Sequence, residues 1–293
     1  DIEAAYCHWY LVRLGIDWGK CLDSGLLEHW RIEGVPNQHG FYKRHVLPQI
    51  NINDRTRVFV VISDAFRFEA AQELHMQLNG EYRLQAEMDT QLGVLPSYTA
   101  LGMAALLPGK KLSYGQSGEV MLDGRPTASL EQRNAILESV EGMAIRADDI
   151  IALTKEEGRQ RISGKRVVYV YHNTIDAVGD SASTEADTFA AVRTAIDELA
   201  NLTRFIINYL NGNRIVITAD HGFLFAESAP TETDKSKLGA KPVGANTSKK
   251  RYVLGEELGS YEGTFHGKTS ATAGTEDTME FLVPKGVNRF QFV

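Results

Sequence analysis

The chain has 293 residues, 43% of them apolar and 24% charged, ordinary values for a globular protein able to bury a large core. A net charge of −7 argues against a surface that grips polyanions everywhere, so any such contact must be local. No apolar run is long enough for a membrane helix, and "DIEAAYCHWY" lacks both an initiator Met and the basic-then-apolar layout of a signal peptide.

The expected setting is the cytoplasm, and the chain reads as a piece excised from a longer protein. Cys7 and Cys21 form no CxxC pattern and are expected as reduced core thiols. Residues 1–50 carry apolar positions at mixed helical spacing, with "EGVPNQHG" as a break, and are expected as a small helical segment.

From residue 51 the pattern becomes that of an α/β domain, expected to span 51–293. "RVFVVISD" is a β-branched run closing on a carboxylate, the mark of a strand covered on both faces. "DAFRFEAAQELHMQLNG" follows as an amphipathic helix ending at Gly80. "VLPSYTALGMAALLPG" runs from an extended stretch into a helix beginning near Ser97–Thr99. Residues 110–165 are more polar and are expected as a cap or peripheral helices.

"RVVYVYHN" is a second strand, followed by a long helix stopped at Asn211-Gly212, and "RIVITADHG" is a third. Strands alternating with such helices imply a mostly parallel sheet sandwiched by helices. Residues 223–280, rich in Gly, Ser, Thr and Lys, are expected as an inserted functional loop. Within them, "KSKLGAKPVGANTSKKR" has six basic residues and no acid. It reads either as a solvated loop or as a lid that draws phosphate toward Lys249, Lys250 and Arg251.

Ligands in open parallel sheets bind beyond the carboxyl ends of the strands. Asp64, then Asp176 and Asp180, then Asp220 and His221 all arrive at that edge. One aspartate after a strand is an ordinary helix cap. Several together repel one another unless a cation lies between them, and oxygen ligands with an imidazole suit Zn²⁺, Mn²⁺ or Mg²⁺. Ser97 or Thr99 could be a helix cap. Beside a metal, the same hydroxyl could act as a nucleophile, with the helix N–H groups receiving phosphate oxygens. His172, four residues before Asp176, is read as supporting a ligand from behind or as simply packed, and not as a ligand itself.

The motifs "VVISDAFRFEAA", "LPSYTALGMAALLPG", "VYVYHNTIDAVGD" and "IVITADHGF", in that order, resemble the PglZ family, a branch of the alkaline phosphatase superfamily found in BREX phage-defence systems of bacteria. The resemblance covers residues 57–293, and residues 1–50 look like the segment that precedes the phosphatase domain in those proteins. It implies a phosphatase, or a phosphodiesterase or nuclease, with two divalent metals and a hydroxyl nucleophile. Thr99 then matches the nucleophile, and Asp64, Thr99, Asp220 and His221 match the ligands of its metal. Asp176 matches the first ligand of the second metal. Asp180 stands where many superfamily members carry histidine, which implies a more oxygen-rich site suited to Mn²⁺ or Mg²⁺ rather than Zn²⁺.

The family's last histidine ligand lies in a His-Gly-Gly motif that this chain does not reach, so the domain is expected to be truncated at its carboxyl end. His266, in "TFHGKTS", is the alternative ligand. The implied partners are other BREX proteins and a nucleic-acid or nucleotide substrate, with no membrane. The rival expectation is a phosphatase fold kept as a catalytically inactive scaffold of a defence complex. A sulfatase or mutase of the same superfamily fits less well, because "PSYTA" lacks the sulfatase nucleophile motif.

Overall fold

A computed structural model of the chain describes residues 5–82, 84–179, 188–223, 235–238 and 241–292. Its central sheet has four parallel strands: β1 (Val58–Ser63), β2 (Gly142–Arg146), β3 (Val167–His172) and β4 (Ile215–Thr218), in the order β2-β3-β1-β4. β1 is buried at all six positions, which explains its unbroken apolar run: both of its faces need apolar side chains. Each such Val, Ile or Phe contributes about 1.5–3 kcal/mol when withdrawn from water.

The two faces are covered by different elements. Phe59 and Val61 point toward α1 (Phe68–Gly80) and the long α4 (Thr188–Leu210), meeting Leu74, Leu78, Leu199 and Ile206. Val58, Val60 and Ile62 face the short α2 (Thr99–Ala105) and the 41–50 segment, through Leu101, Met103, Phe41 and Val46. The helix stops are where the sequence places them. α1 ends at Gly80, and α4 gives way to Asn211, which takes the left-handed φ of 56° that suits an Asn-Gly stop.

Two readings are corrected. Residues 110–165 are not only a cap or peripheral helices. They hold a three-stranded antiparallel meander within 112–126 and also β2, an edge strand of the central sheet. "GMAIR" has a single β-branched residue, and it becomes a strand because pairing with β3 buries Gly142 to Ile145.

Nor is 223–280 simply a loop. Its described part contains β5 (Ala245–Ser248), β6 (Val253–Gly255) and β7 (Thr264–Lys268), which join β8 (Glu280–Pro284) in an antiparallel sheet of order β7-β8-β6-β5. Strands of three to five residues are too short to show alternation, and their stability comes from packing of Leu254, Phe265 and Phe281 on the amino-terminal Leu22, Leu27 and Trp30. "FLVPKGVNRFQFV" splits at Gly286, φ 64°, into β8 and a strand over Arg289–Phe292.

The amino-terminal segment is helical along most of its length and sits against both sheets. Cys21 is free but exposed, so it is not a core thiol; the Cys7 side chain lies outside the described residues. No described helix is long and apolar enough to cross a membrane.

Candidate metal centre and active site

β3, β1 and β4 are adjacent and parallel, so their carboxyl ends open at one edge. Asp64 directly follows β1, Asp220 and His221 follow β4, and Asp176 lies in α3 (Thr174–Gly179) just beyond β3. α2 meets the same edge. Tyr98 is its extended cap residue and makes no side-chain cap bond, so Thr99 is the first helical residue and its hydroxyl is not spent on capping. Thr99 Oγ1 instead lies 3.0 Å from His221 Nε2. α2 comes this close because residue 102 is glycine: a Cβ there would collide with the Asp220 carbonyl oxygen.

Four donor atoms converge. His221 Nε2 is 3.4 Å from Asp64 Oδ1 and 3.4 Å from Asp220 Oδ2, in addition to its contact with Thr99. Both carboxylate oxygens are buried and accept no hydrogen bond, whereas Asp220 Oδ1 accepts the Ala65 N–H at 3.1 Å. His221 Nδ1 donates to the Gly222 carbonyl at 2.8 Å, which fixes the proton on Nδ1 and leaves the Nε2 lone pair facing the carboxylates. Unsatisfied buried carboxylate oxygens are costly on their own. Together with an imidazole nitrogen and a hydroxyl, they are the donor set of a hard or borderline divalent cation.

The electrostatics agree with this reading. Burial, reinforced by the Asp220 charge, pushes the Asp64 carboxyl up to about 7. Burial likewise raises Asp220. For His221, burial works downward, but Asp220, the Gly222 carbonyl, Asp64 and Asp176 outweigh it and raise the imidazole. All three shifts report excess negative charge in a dry place, which a bound cation would relieve.

Asp176 joins this cluster: the ligand atoms of Asp64, Asp176 and His221 lie within 4.8 Å of one another. Asp180 lies outside the described residues. His266 does not join it among the described residues. It sits on β7 opposite Leu282, and its Nε2 is 3.0 Å from Glu280 Oε2, so strand register commits it to a different carboxylate.

Lys249, Lys250 and Arg251 form the turn between β5 and β6 and line the same cavity of about 2300 Å³ as Thr99, Asp176 and His221. Arg251 also donates to the carbonyls of Val287 and Asn288, at 2.9 and 3.2 Å. The Tyr252 ring stacks on Tyr98 with centroids 4.6 Å apart, tying this basic turn to the residue before Thr99.

Sequence reasoning missed the buried support behind the ligands. Ser63 Oγ meets His172 Nδ1 at 2.9 Å, and His172 Nε2 meets Glu198 Oε2 at 2.9 Å. Thr174, the first residue of α3, also donates to Glu198, while the Asp64 N–H donates to the His172 carbonyl at 2.8 Å. His172 is therefore packed, as expected, and it links the Asp64 and Asp176 segments to α4. Its place at a strand end was visible, but Glu198 is 26 residues away with no pattern joining the two. Arg133, 4.3 Å over the Tyr171 ring, is a second missed residue, and its charge opposes the rise of Asp64.

The comparisons with known proteins point the same way. A family model described as the BREX system PglZ alkaline phosphatase-like domain matches residues 41–293. The alkaline phosphatase-like protein BrxZ of Escherichia coli O9:H4 (strain HS) is 47% identical over 294 residues, covering 99% of this chain and 34% of that protein. The alkaline phosphatase-like protein PglZ of Bacillus cereus (strain H3081.97) is 38% identical over 291 residues, again 99% and 34%. The chain thus spans about a third of the length of these relatives. Four motifs in order, a parallel sheet carrying acids at its carboxyl edge, and a match over most of the chain lead to one conclusion: this chain belongs to the PglZ family of alkaline phosphatase-like proteins.

Proposed function

We propose that the chain is the phosphoester-hydrolysing unit of a BREX-system protein acting in the bacterial cytoplasm against bacteriophage. The observation that carries this reading is the convergence of Thr99 Oγ1, His221 Nε2 and the two unpartnered buried oxygens of Asp64 and Asp220. Those four residues would hold one divalent cation, and Asp176, with Asp180, would take part in holding a second; zinc, manganese and magnesium all suit such ligands. A divalent cation at this place lowers the pKa of a bound hydroxyl and neutralises charge on phosphoryl oxygens.

The chain's own part begins with Thr99, held rigidly at the start of α2. Its Oγ attacks phosphorus in line. The P–Oγ bond forms as the bond to the leaving oxygen breaks; the Thr99 hydroxyl proton passes to solvent water, and the departing alkoxide takes one proton back from water, so the protons balance. Water then attacks the phosphothreonine, releasing the phosphoryl product and restoring the hydroxyl. Lys249, Lys250 and Arg251 on the cavity wall support a substrate with further negative charge, a nucleotide or nucleic-acid diester, and other BREX proteins are the expected partners.

Elemental analysis of the purified chain beside Asp64→Ala and Asp220→Ala tests the metal site. Bound metal in the parent and its loss from both variants is the expected result; no metal in the parent under replete conditions overturns it. Thr99→Ala should abolish hydrolysis of p-nitrophenyl phosphate and bis-p-nitrophenyl phosphate by the full-length protein while leaving its fold intact. Hydrolysis unchanged by that substitution would favour the inactive-scaffold reading.

A further inference from the structure

Gln38 lies in the stretch that reads as a mere break in the sequence, and it precedes the residues matched by the family model. It is 2% exposed, and every polar atom of its side chain is engaged. Its Nε2 donates to the carbonyl of Ala219 at 3.1 Å and to that of Asp220 at 2.7 Å, while its Oε1 accepts the Val94 N–H at 2.9 Å. Its backbone is held as well. The Gln38 N–H donates to the Leu92 carbonyl, and the Leu92 N–H donates to the Pro36 carbonyl, both at 2.8 Å.

One carboxamide therefore joins two segments, which also meet one residue earlier through Gln91 Nε2 and the Thr218 hydroxyl at 3.1 Å. Residues 92–94 lead through Pro96 into Thr99, and residues 219–220 lead into His221. These are the two sides of the Thr99–His221 contact. A primary amide is the one uncharged side chain that can donate twice and accept at once, so it can satisfy two carbonyls and one N–H in a dry place. Left unmade, the Asp220 carbonyl and the Val94 N–H would be buried without this partner, and the half-buried Ala219 carbonyl would lose it too.

We infer that Gln38 is a positioning residue for the metal centre. It clamps the end of β4 to the approach of α2 and so sets where Asp220 and His221 stand relative to Thr99. The amino-terminal segment then contributes to the site although none of its described residues joins the ligand cluster. This inference rests on the metal-site reading above. Groups that orient ligands from behind typically change metal affinity 10–100-fold when removed.

The test uses Gln38→Met, which keeps the length and removes the hydrogen bonds, beside Thr127→Val. Thr127 is a buried residue whose hydroxyl donates to the Val120 carbonyl in the meander, a bond that joins neither residues 92–94 nor residues 219–220. Titration of the metal-free proteins with zinc and with manganese gives affinities, and hydrogen exchange of residues 219–222 reads the clamp without metal. The expected result is a 10–100-fold weaker affinity and faster exchange at 219–222 in Gln38→Met, with both unchanged in Thr127→Val. A lowered Tm with parental affinity and parental exchange would overturn the inference and leave Gln38 a structural residue.

If the parent itself binds neither metal, the metal-site reading fails. Faster exchange at 219–222 in Gln38→Met would then still support the clamp, and unchanged exchange would refute it. Should Gln38→Met not fold, Gln38→Asn, which keeps the amide but shortens its reach, carries the same comparison.

Discussion

Gly102 shows how one position controls the distance between α2, which carries Thr99, and the Asp220–His221 segment. The Asp220 carbonyl occupies the space where its side chain would begin, so any larger residue must push α2 away and take Thr99 with it. Gly102→Ala is expected to cost about 1–3 kcal/mol in denaturant unfolding, the usual penalty of overpacking, and to weaken metal binding in a titration. Full retention of both would mean that α2 yields without moving Thr99. Asp64, Asp220 and His221 were legible in the sequence, because each stands just past an apolar run. Gly102 was not, since "TALGMAA" looks like any helix of small residues and the carbonyl that it spares lies more than a hundred positions away.

Among the elements, the carboxyl ends of β1 and β3 are joined to the middle of α4 by the line from Ser63 through His172 to Glu198. His172→Phe would fill the space but leave the fully buried Ser63 hydroxyl without its imidazole partner. Urea unfolding should then register a loss of about 1–3 kcal/mol, the cost of an unsatisfied buried polar group. A loss within a few tenths would show that Ser63 readily finds another acceptor. Central strands announce themselves because burial on both faces demands continuous apolar sequence, as in "RVFVVIS". β2 and the antiparallel sheet did not, because "GMAIR" and the short strands over 245–284 acquire their burial from neighbours rather than from their own composition.

For the whole molecule, the concentration of acid at one edge couples stability to pH and to metal. In the metal-free protein Asp64 titrates near 7, well above the carboxylate range of an unfolded chain. Between roughly pH 4 and 7 the native state therefore holds more protons than the unfolded one, and stability falls as pH rises through that window. The raised Asp220 and His221 act in the same direction. Thermal melts in chelator should show Tm declining toward neutral pH, with Asp64→Asn flattening the slope. A melting temperature that rises over that range would contradict the charge balance described for the site. Metal at a hundred times its Kd should restore about 2.7 kcal/mol near neutral pH.

Local sequence by itself determined the α/β class, three of the four strands of the parallel sheet, and Asp64, Asp176, Asp220 and His221 as residues to watch, because strand composition and strand-end chemistry are written in adjacent positions. The family resemblance chose Thr99 over Ser97. Only the tertiary structure decided that His266 faces Glu280, that Gly102 and Glu198 support the site, and that Gln38 reaches Asp220 across 182 positions. Contacts of that span arise from how sheets and helices stack, and such packing leaves no periodic trace along a single chain.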